Sequence, residues 1–165
     1  MHQLLVAVLR AGIAVAVLFG VFGQAVVIPT TAADEVDRFP PYAPYAAPYA
    51  TLAILGVVCV QVALVALWIL LDMVDRDAIF TERAFRWVDV IMASSIVATL
   101  LSLGATLHLA IVEIPSPDDG MDVLSALGAT AACTVVGAAF AMLLAVLRGL
   151  LRKATTLQTE MAEVV

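Results

Sequence analysis

Four uninterrupted apolar runs constrain this chain more than any motif does. They cover about Leu4 to Pro29, Tyr49 to Leu71, Trp87 to Val112 and Asp122 to Leu147. Each exceeds the roughly 18 residues that an α-helix needs to cross the hydrocarbon of a bilayer. In that solvent every backbone N–H and C=O must find its partner inside the segment, which leaves only helices and closed barrels. The runs are rich in Ala, Leu and Val and lack the two-residue alternation of barrel strands, so the expected fold is all-α. It is an integral membrane four-helix bundle with a cytoplasmic amphipathic C-terminal helix. The expected division is 1–147 for the transmembrane domain and 148–165 for the helical tail. Composition agrees, with 64% hydrophobic and 13% charged residues over 165 positions, against about half and a quarter in soluble domains.

Lys and Arg in the short connections set the orientation. Arg10, Arg76, Arg83, Arg86, Arg148, Arg152 and Lys153 fall on one side and Arg38 alone on the other. Both termini and the middle loop are therefore expected in the cytoplasm of a bacterial plasma membrane. The net charge of −6 is carried outside, by Asp34, Glu35, Asp37, Glu113, Asp118, Asp119 and Asp122. An acidic balance placed there gives no footing for nucleic acid. A cleaved signal peptide ending near "TTAAD" (Thr30 to Asp34) is the alternative for the first run. That run is longer than the apolar core of about 7 to 15 residues usual in such peptides, so retention is expected.

Between the first two runs lies the repeat "PYAPYAAPYA", Pro41 to Ala50. Its proline spacing favours extended, polyproline-like backbone, which has to lie outside hydrocarbon. Tyr42, Tyr45 and Tyr49 would then anchor in the headgroup region.

Small residues allow transmembrane helices to approach closely, and they recur at helical spacing in three of the runs. Gly12, Ala16, Gly20 and Gln24 align in the first; Gly56, Cys59, Ala63 and Ala66 in the second; Ala129, Cys133, Gly137, Ala141 and Ala145 in the fourth. These are the candidate packing seams. The third run aligns Ser95, Thr99, Ser102 and Thr106, hydroxyls able to bond back to their own helix or across to a neighbour. The stripe is expected to face the bundle interior; a polar pathway along it is the alternative.

A transport pathway usually holds an ionisable group at depth, and here Asp72, Asp89, Glu113 and Asp122 all fall at helix ends. Gln24 and Gln61 are the long polar residues within the spans, and an amide does not relay charge. The two cysteines lack CxxC spacing, and His2 and His108 lie toward opposite ends of their helices. No metal, haem or other cofactor is expected, and no catalytic signature appears.

The polar stretch "DRDAIFTERAFRW", Asp75 to Trp87, reads as a helix entry. Thr81 suits the N-cap, and Phe80 with Phe85 has staple spacing. Ile79, Phe80 and Phe85 also place apolar side chains near water, which makes them candidates for cytoplasmic docking. The tail from Val146 to Val165 carries an apolar stripe of its own, through Leu150, Ala154, Leu157, Met161 and Val164. Leu150, Leu157 and Met161 complete the docking set. Such a tail either bends at Gly149 and packs over the middle loop, or stays straight and is covered by a partner or a second copy.

"DRDAIFTERAFRWVDVI" and "LRGLLRKATTLQTEMAEVV" together resemble the bacterial family of small four-helix membrane proteins catalogued as a domain of unknown function, number 2975 in its series. The family's terminal pattern E-L-D-E-V-I has its counterpart in Glu160 to Val165, with Ala162 in place of the usual acid. The resemblance implies the fold and assigns no catalytic residue. Some relatives are encoded beside a small helix-turn-helix regulator, which implies regulated expression. The functional expectation is a non-enzymatic interaction or accessory membrane protein, whose partners are the bilayer and another protein or a second copy. A small transporter or export component using the hydroxyl face is the runner-up, and a haem-bearing redox subunit is a weaker third.

Overall fold

The computed structural model describes residues 2–75, 82–117 and 120–163, and nearly all of them are helical. α1 runs over His2–Phe22 and passes through a single wide π turn, Gly23–Val27, into α2, Ile28–Arg38. A short 3-10 turn, Pro40–Tyr42, leads to α3, Ala43–Asp75; α4 is Glu82–Ile111 and α5 is Met121–Glu163. Four stretches are long and apolar enough to cross a membrane: Leu4–Arg38, Pro40–Val74, Ala84–Ile111 and Met121–Leu150.

Pro29 explains the π turn. A helical proline lacks an N–H and pushes against the carbonyl four residues back. Just ahead of it, the N–H of Ile28 reaches the carbonyl of Gly23, five residues away, and the helix continues through the proline. The first membrane helix therefore extends to Arg38 instead of stopping at Pro29. The repeat at Pro41 to Ala50 is helical as well, contrary to the extended backbone expected of it. Pro44 sits in the first turn of α3, where its missing donor costs no bond, and Pro48 is the one proline inside the helix. Helical winding brings Tyr42, Tyr45 and Tyr49, three and four residues apart, onto one side.

The packing follows chain order. α1 and α2 lie on α3, α3 lies on α4, and α4 lies on α5; among the described residues no extended contact joins α1 to α4 or α5, or α3 to α5. The bundle is thus an open row, with α3 and α4 in the middle. Among the described residues its buried interior is small: Val6, Ile13, Ala66, Ala84, Ile91, Ser94, Ala105 and Leu109. Large apolar side chains such as Phe19 (71% exposed) and Val135 (70% exposed) point away from it. In water that balance would not hold a fold together. In lipid it suffices, because apolar surface needs no covering and helices associate through close contact and hydrogen bonds.

α5 is one continuous helix of 43 residues. It passes through Gly149 without interruption, so the helix is not broken at that glycine; the middle loop on which a folded-back tail would pack lies outside the described residues. Gly120, at φ 74°, opens it: the Gly120 carbonyl accepts from the Leu124 N–H, and only glycine takes that left-handed conformation without strain.

Candidate functional site

Polar contacts between the helices occur at three levels. At the end of the row that carries Arg10, each outer helix is clipped to its inner neighbour by an ion pair. Arg10 lies 3.4 Å from Asp72, joining α1 to α3. Arg148 holds Asp89 with two nitrogens, Nε at 2.6 Å from Oδ1 and a terminal nitrogen at 2.8 Å from Oδ2, joining α5 to α4. The forked geometry matches a carboxylate. The acids were legible in the sequence as helix-end residues; their partners, some sixty residues away, were not.

At mid-depth two amides bridge α1 and α3. Gln24 Nε2 donates to Gln61 Oε1 at 3.2 Å, and Gln61 Nε2 donates to the carbonyl of Val17 at 3.4 Å. Gln24 belongs to the π turn, and its Nε2 also lies 3.5 Å from the carbonyl of Ile54. Amides that cross between helices in this way contribute about 0.6 kcal/mol per bond on average in a membrane.

The hydroxyl stripe of α4 faces α5. Ser95, Thr99 and Thr106 donate to the carbonyls of Ile91, Ser95 and Ser102. Ser102 donates across to the carbonyl of Thr130 at 2.8 Å, and Thr106 meets Thr134 at 3.5 Å. Thr99 lies where a side chain on Gly137 would be: a Cβ built there collides with Thr99 Oγ1 and comes within 3.3 Å of its Cβ. These hydroxyls are thereby engaged with their own helix and with α5.

The packing candidates divide. Gly20 and Gly137 are close approaches, to Gln61 and Thr99. Ala63 and Ala141 are half-buried on contact faces, as is Gly56, although a Cβ on Gly56 would meet nothing within 4 Å. Gly12, Ala16, Ala129 and Cys133 are exposed, off the contact between neighbouring helices, and a Cβ on Gly12 would also meet open space. Of the docking candidates, Phe85 is half-buried and Leu150 is 59% exposed. Ile79, Phe80 and the N-cap Thr81 lie outside the described residues. So do the side chains of Leu157 and Met161, although the helix backbone continues through both.

At the opposite end the row curls, and α2 and α3 face the start of α5 across a cavity of about 790 Å³. Glu35, Arg38 and Asp122 line it together with the three tyrosines, above a wall of small residues from α3 and α5. Tyr49 Oη lies 2.7 Å from His108 Nδ1, and the Tyr45 ring meets the same imidazole edge-on. The volume falls within the roughly 300–1,000 Å³ usual for ligand pockets. Sequence reading missed it because it treated the tyrosines as extended-chain anchors. Their spacing of three and four was the available signal. Among the described residues no three His, Cys, Asp or Glu side chains converge as a metal site would require.

No curated protein and no solved structure matches the chain. A family model does, over residues 30–165, the stretch that holds most of the cavity, the hydroxyl interface and the long helix. The chain therefore belongs to the family described as "Protein of unknown function (DUF2975)".

Proposed function

We propose that this chain is a non-enzymatic accessory protein of the bacterial plasma membrane, with both termini in the cytoplasm. Its working surface is the part of α5 beyond the bilayer, which docks on another membrane or cytoplasmic protein or on a second copy. The length of α5 carries the reading. Forty-three helical residues extend about 64 Å, twice the roughly 30 Å of hydrocarbon. The membrane-spanning part ends near Leu150, and the helix then continues to Glu163. In sequence that continuation keeps Leu150, Leu157 and Met161 on one side and Arg152, Lys153, Gln158, Glu160 and Glu163 on the others. Its acidic end disfavours lying on a negative inner leaflet, which favours protein as the covering surface. The distribution of seven Lys and Arg against one favours the cytoplasmic placement.

A photo-crosslinking residue at Leu157 or Met161, in membranes of the producing cell, should give adducts of discrete mass. The same residue at Gln158 should give far less. Equal labelling at all three positions, or none at any, would reject docking through the apolar stripe.

A further inference from the structure

We infer that the cavity between α2, α3 and the start of α5 is a binding site for one phospholipid with a zwitterionic, amine-bearing headgroup. The inference concerns the end of the molecule opposite the proposed docking part of α5 and does not depend on it.

Three observations identify the occupant. The first is a gradient of polarity. Charged residues, Glu35, Arg38 and Asp122, line the end of the cavity nearest the helix termini. Deeper in, the walls are mostly apolar, with Val27, Ala53 and Ala126, and the Thr130 hydroxyl there is turned back to its own helix carbonyls. Below Glu35 the chain descends eight residues to Val27, about 12 Å at helical rise. That is most of the roughly 15 Å that one leaflet contributes to the hydrocarbon. A solute that is polar at one end and apolar over the depth of one leaflet is a lipid.

The second observation is an unsatisfied group. Tyr42 lines the cavity, its ring held edge-on by Phe39 at 5.0 Å, and its hydroxyl is shielded from solvent without a hydrogen-bond partner. Buried hydroxyls are nearly always paired, so this donor lacks an acceptor. It lies in the turn that follows Arg38, beside the polar part of a phospholipid whose phosphate sits at that guanidinium. The Tyr49 hydroxyl, one to two turns deeper, is already engaged with His108.

The third is charge complementarity. Arg38 and Glu35 are 3.6 Å apart and both reach solvent, and Asp122 faces them from the first turn of α5. A guanidinium beside carboxylates fits a phosphate joined to an ammonium. An anionic headgroup would satisfy Arg38 and leave the acids facing a second negative charge.

The test uses the full chain, purified in mild detergent and examined by native mass spectrometry with added dioleoyl phosphatidylethanolamine or dioleoyl phosphatidylglycerol. A one-to-one phosphatidylethanolamine adduct should survive detergent removal, several-fold more abundant than the phosphatidylglycerol adduct. Ala50→Trp, which fills the cavity from α3, should abolish it, whereas Ala47→Trp on the exposed side of the same helix should not. Tyr42→Phe and Arg38→Gln should each reduce retention several-fold at unchanged helicity. Equal retention of the two lipids would overturn the inference, as would a folded Ala50→Trp protein that still holds the adduct. Should Ala50→Trp fail to fold, Tyr42→Phe decides, since it removes one oxygen and adds no bulk: unchanged retention overturns the inference and a several-fold loss supports it.

Discussion

Replacing Gly137 by alanine adds one methyl group to α5, and its effect can be worked out from the surroundings. The added Cβ would collide with Thr99 Oγ1, with Thr99 Cβ at 3.3 Å and Cγ2 at 3.6 Å behind it. Thr99 is not free to swing aside, because its hydroxyl donates to the Ser95 carbonyl at 2.8 Å. The helices must therefore separate, and that loosens the Ser102 to Thr130 bond and the Thr106 to Thr134 contact further along the same interface. Overpacking of this kind costs about 1–3 kcal/mol, and each interhelical hydrogen bond lost adds about 0.6 kcal/mol. Gly137→Ala should thus cost on the order of 2 kcal/mol, and Gly137→Leu more. Gly128→Ala on the same helix is the control, since a Cβ there meets nothing within 4 Å and alanine is the better helix former. Denaturation by SDS in mixed micelles, followed by circular dichroism, measures the difference. The double variant Gly137→Ala/Thr99→Ala should recover about 1 kcal/mol or more, as expected of residues in direct contact. If Gly137→Ala is as harmless as Gly128→Ala, or if Thr99→Ala does not rescue it, the α4–α5 seam is not where the geometry puts it.

Other consequences are simpler to check. Gly20→Ala should be milder than Gly137→Ala, about 1 kcal/mol, because what it meets first is the far end of the Gln61 side chain, whose displacement gives up the 3.4 Å bond to the Val17 carbonyl; the same SDS titration reads it. Arg148→Gln should destabilise by about 1 kcal/mol or less, since both members of the pair with Asp89 are 40% exposed and such pairs are weakened by solvent and salt. Arg148→Lys should recover only part of that loss, because an ammonium cannot reproduce the fork. Cysteine probes at Asp37 and Gln158, in an otherwise cysteine-free protein, should be labelled from opposite sides of the membrane, with Asp37 outside; labelling of both from one side would refute the orientation drawn from Lys and Arg.

The membrane helices were readable because lipid imposes a single requirement, a run of apolar residues about 20 long, that composition alone reveals. Their ends were less readable. Pro29 suggested a stop and Pro41 to Pro48 suggested extended chain, since a proline costs a helix about 3 kcal/mol in isolation. In this chain the cost is avoided locally at two of them, by the π turn ahead of Pro29 and by the placement of Pro44 in an opening turn where no donor is needed, while Pro48, inside α3, still gives up one helical bond. The tyrosine side of α3 and the cavity follow from that helical winding, so they were hidden along with it. Ion pairs such as Arg148 with Asp89 were hidden for another reason: pairing across some sixty residues depends on which helices are neighbours, and the row order is not written in any one segment.

The small-residue seams show how far spacing can be trusted. Ser95, Thr99, Ser102 and Thr106 alternate steps of four and three, and the structure lays their side of α4 against α5. Gly56, Cys59, Ala63 and Ala66 alternate as well, and all four are half-buried or buried. The stripes drawn in steps of four alone behave differently. Each such step turns the helix about 40° past a full revolution, whereas steps of three and four fall on opposite sides of the line, so that each pair of them drifts by only about 20°. A row of five at spacing four therefore sweeps across nearly half the circumference. Ala129 and Cys133 leave the contact while Gly137 and Ala141 remain in it, and Gly12 and Ala16 leave it while Gly20 and Gln24 remain. The contact lines are instead Val6, Arg10, Ile13, Val17 and Gly20 on α1, continued by Gln24 in the π turn, and Thr130, Thr134, Gly137, Ala141, Leu144 and Arg148 on α5. Both keep the alternation, and both mix small, polar and ionic residues. Residue size marks where two helices touch most closely, and the alternation of steps marks the line along which they can keep touching.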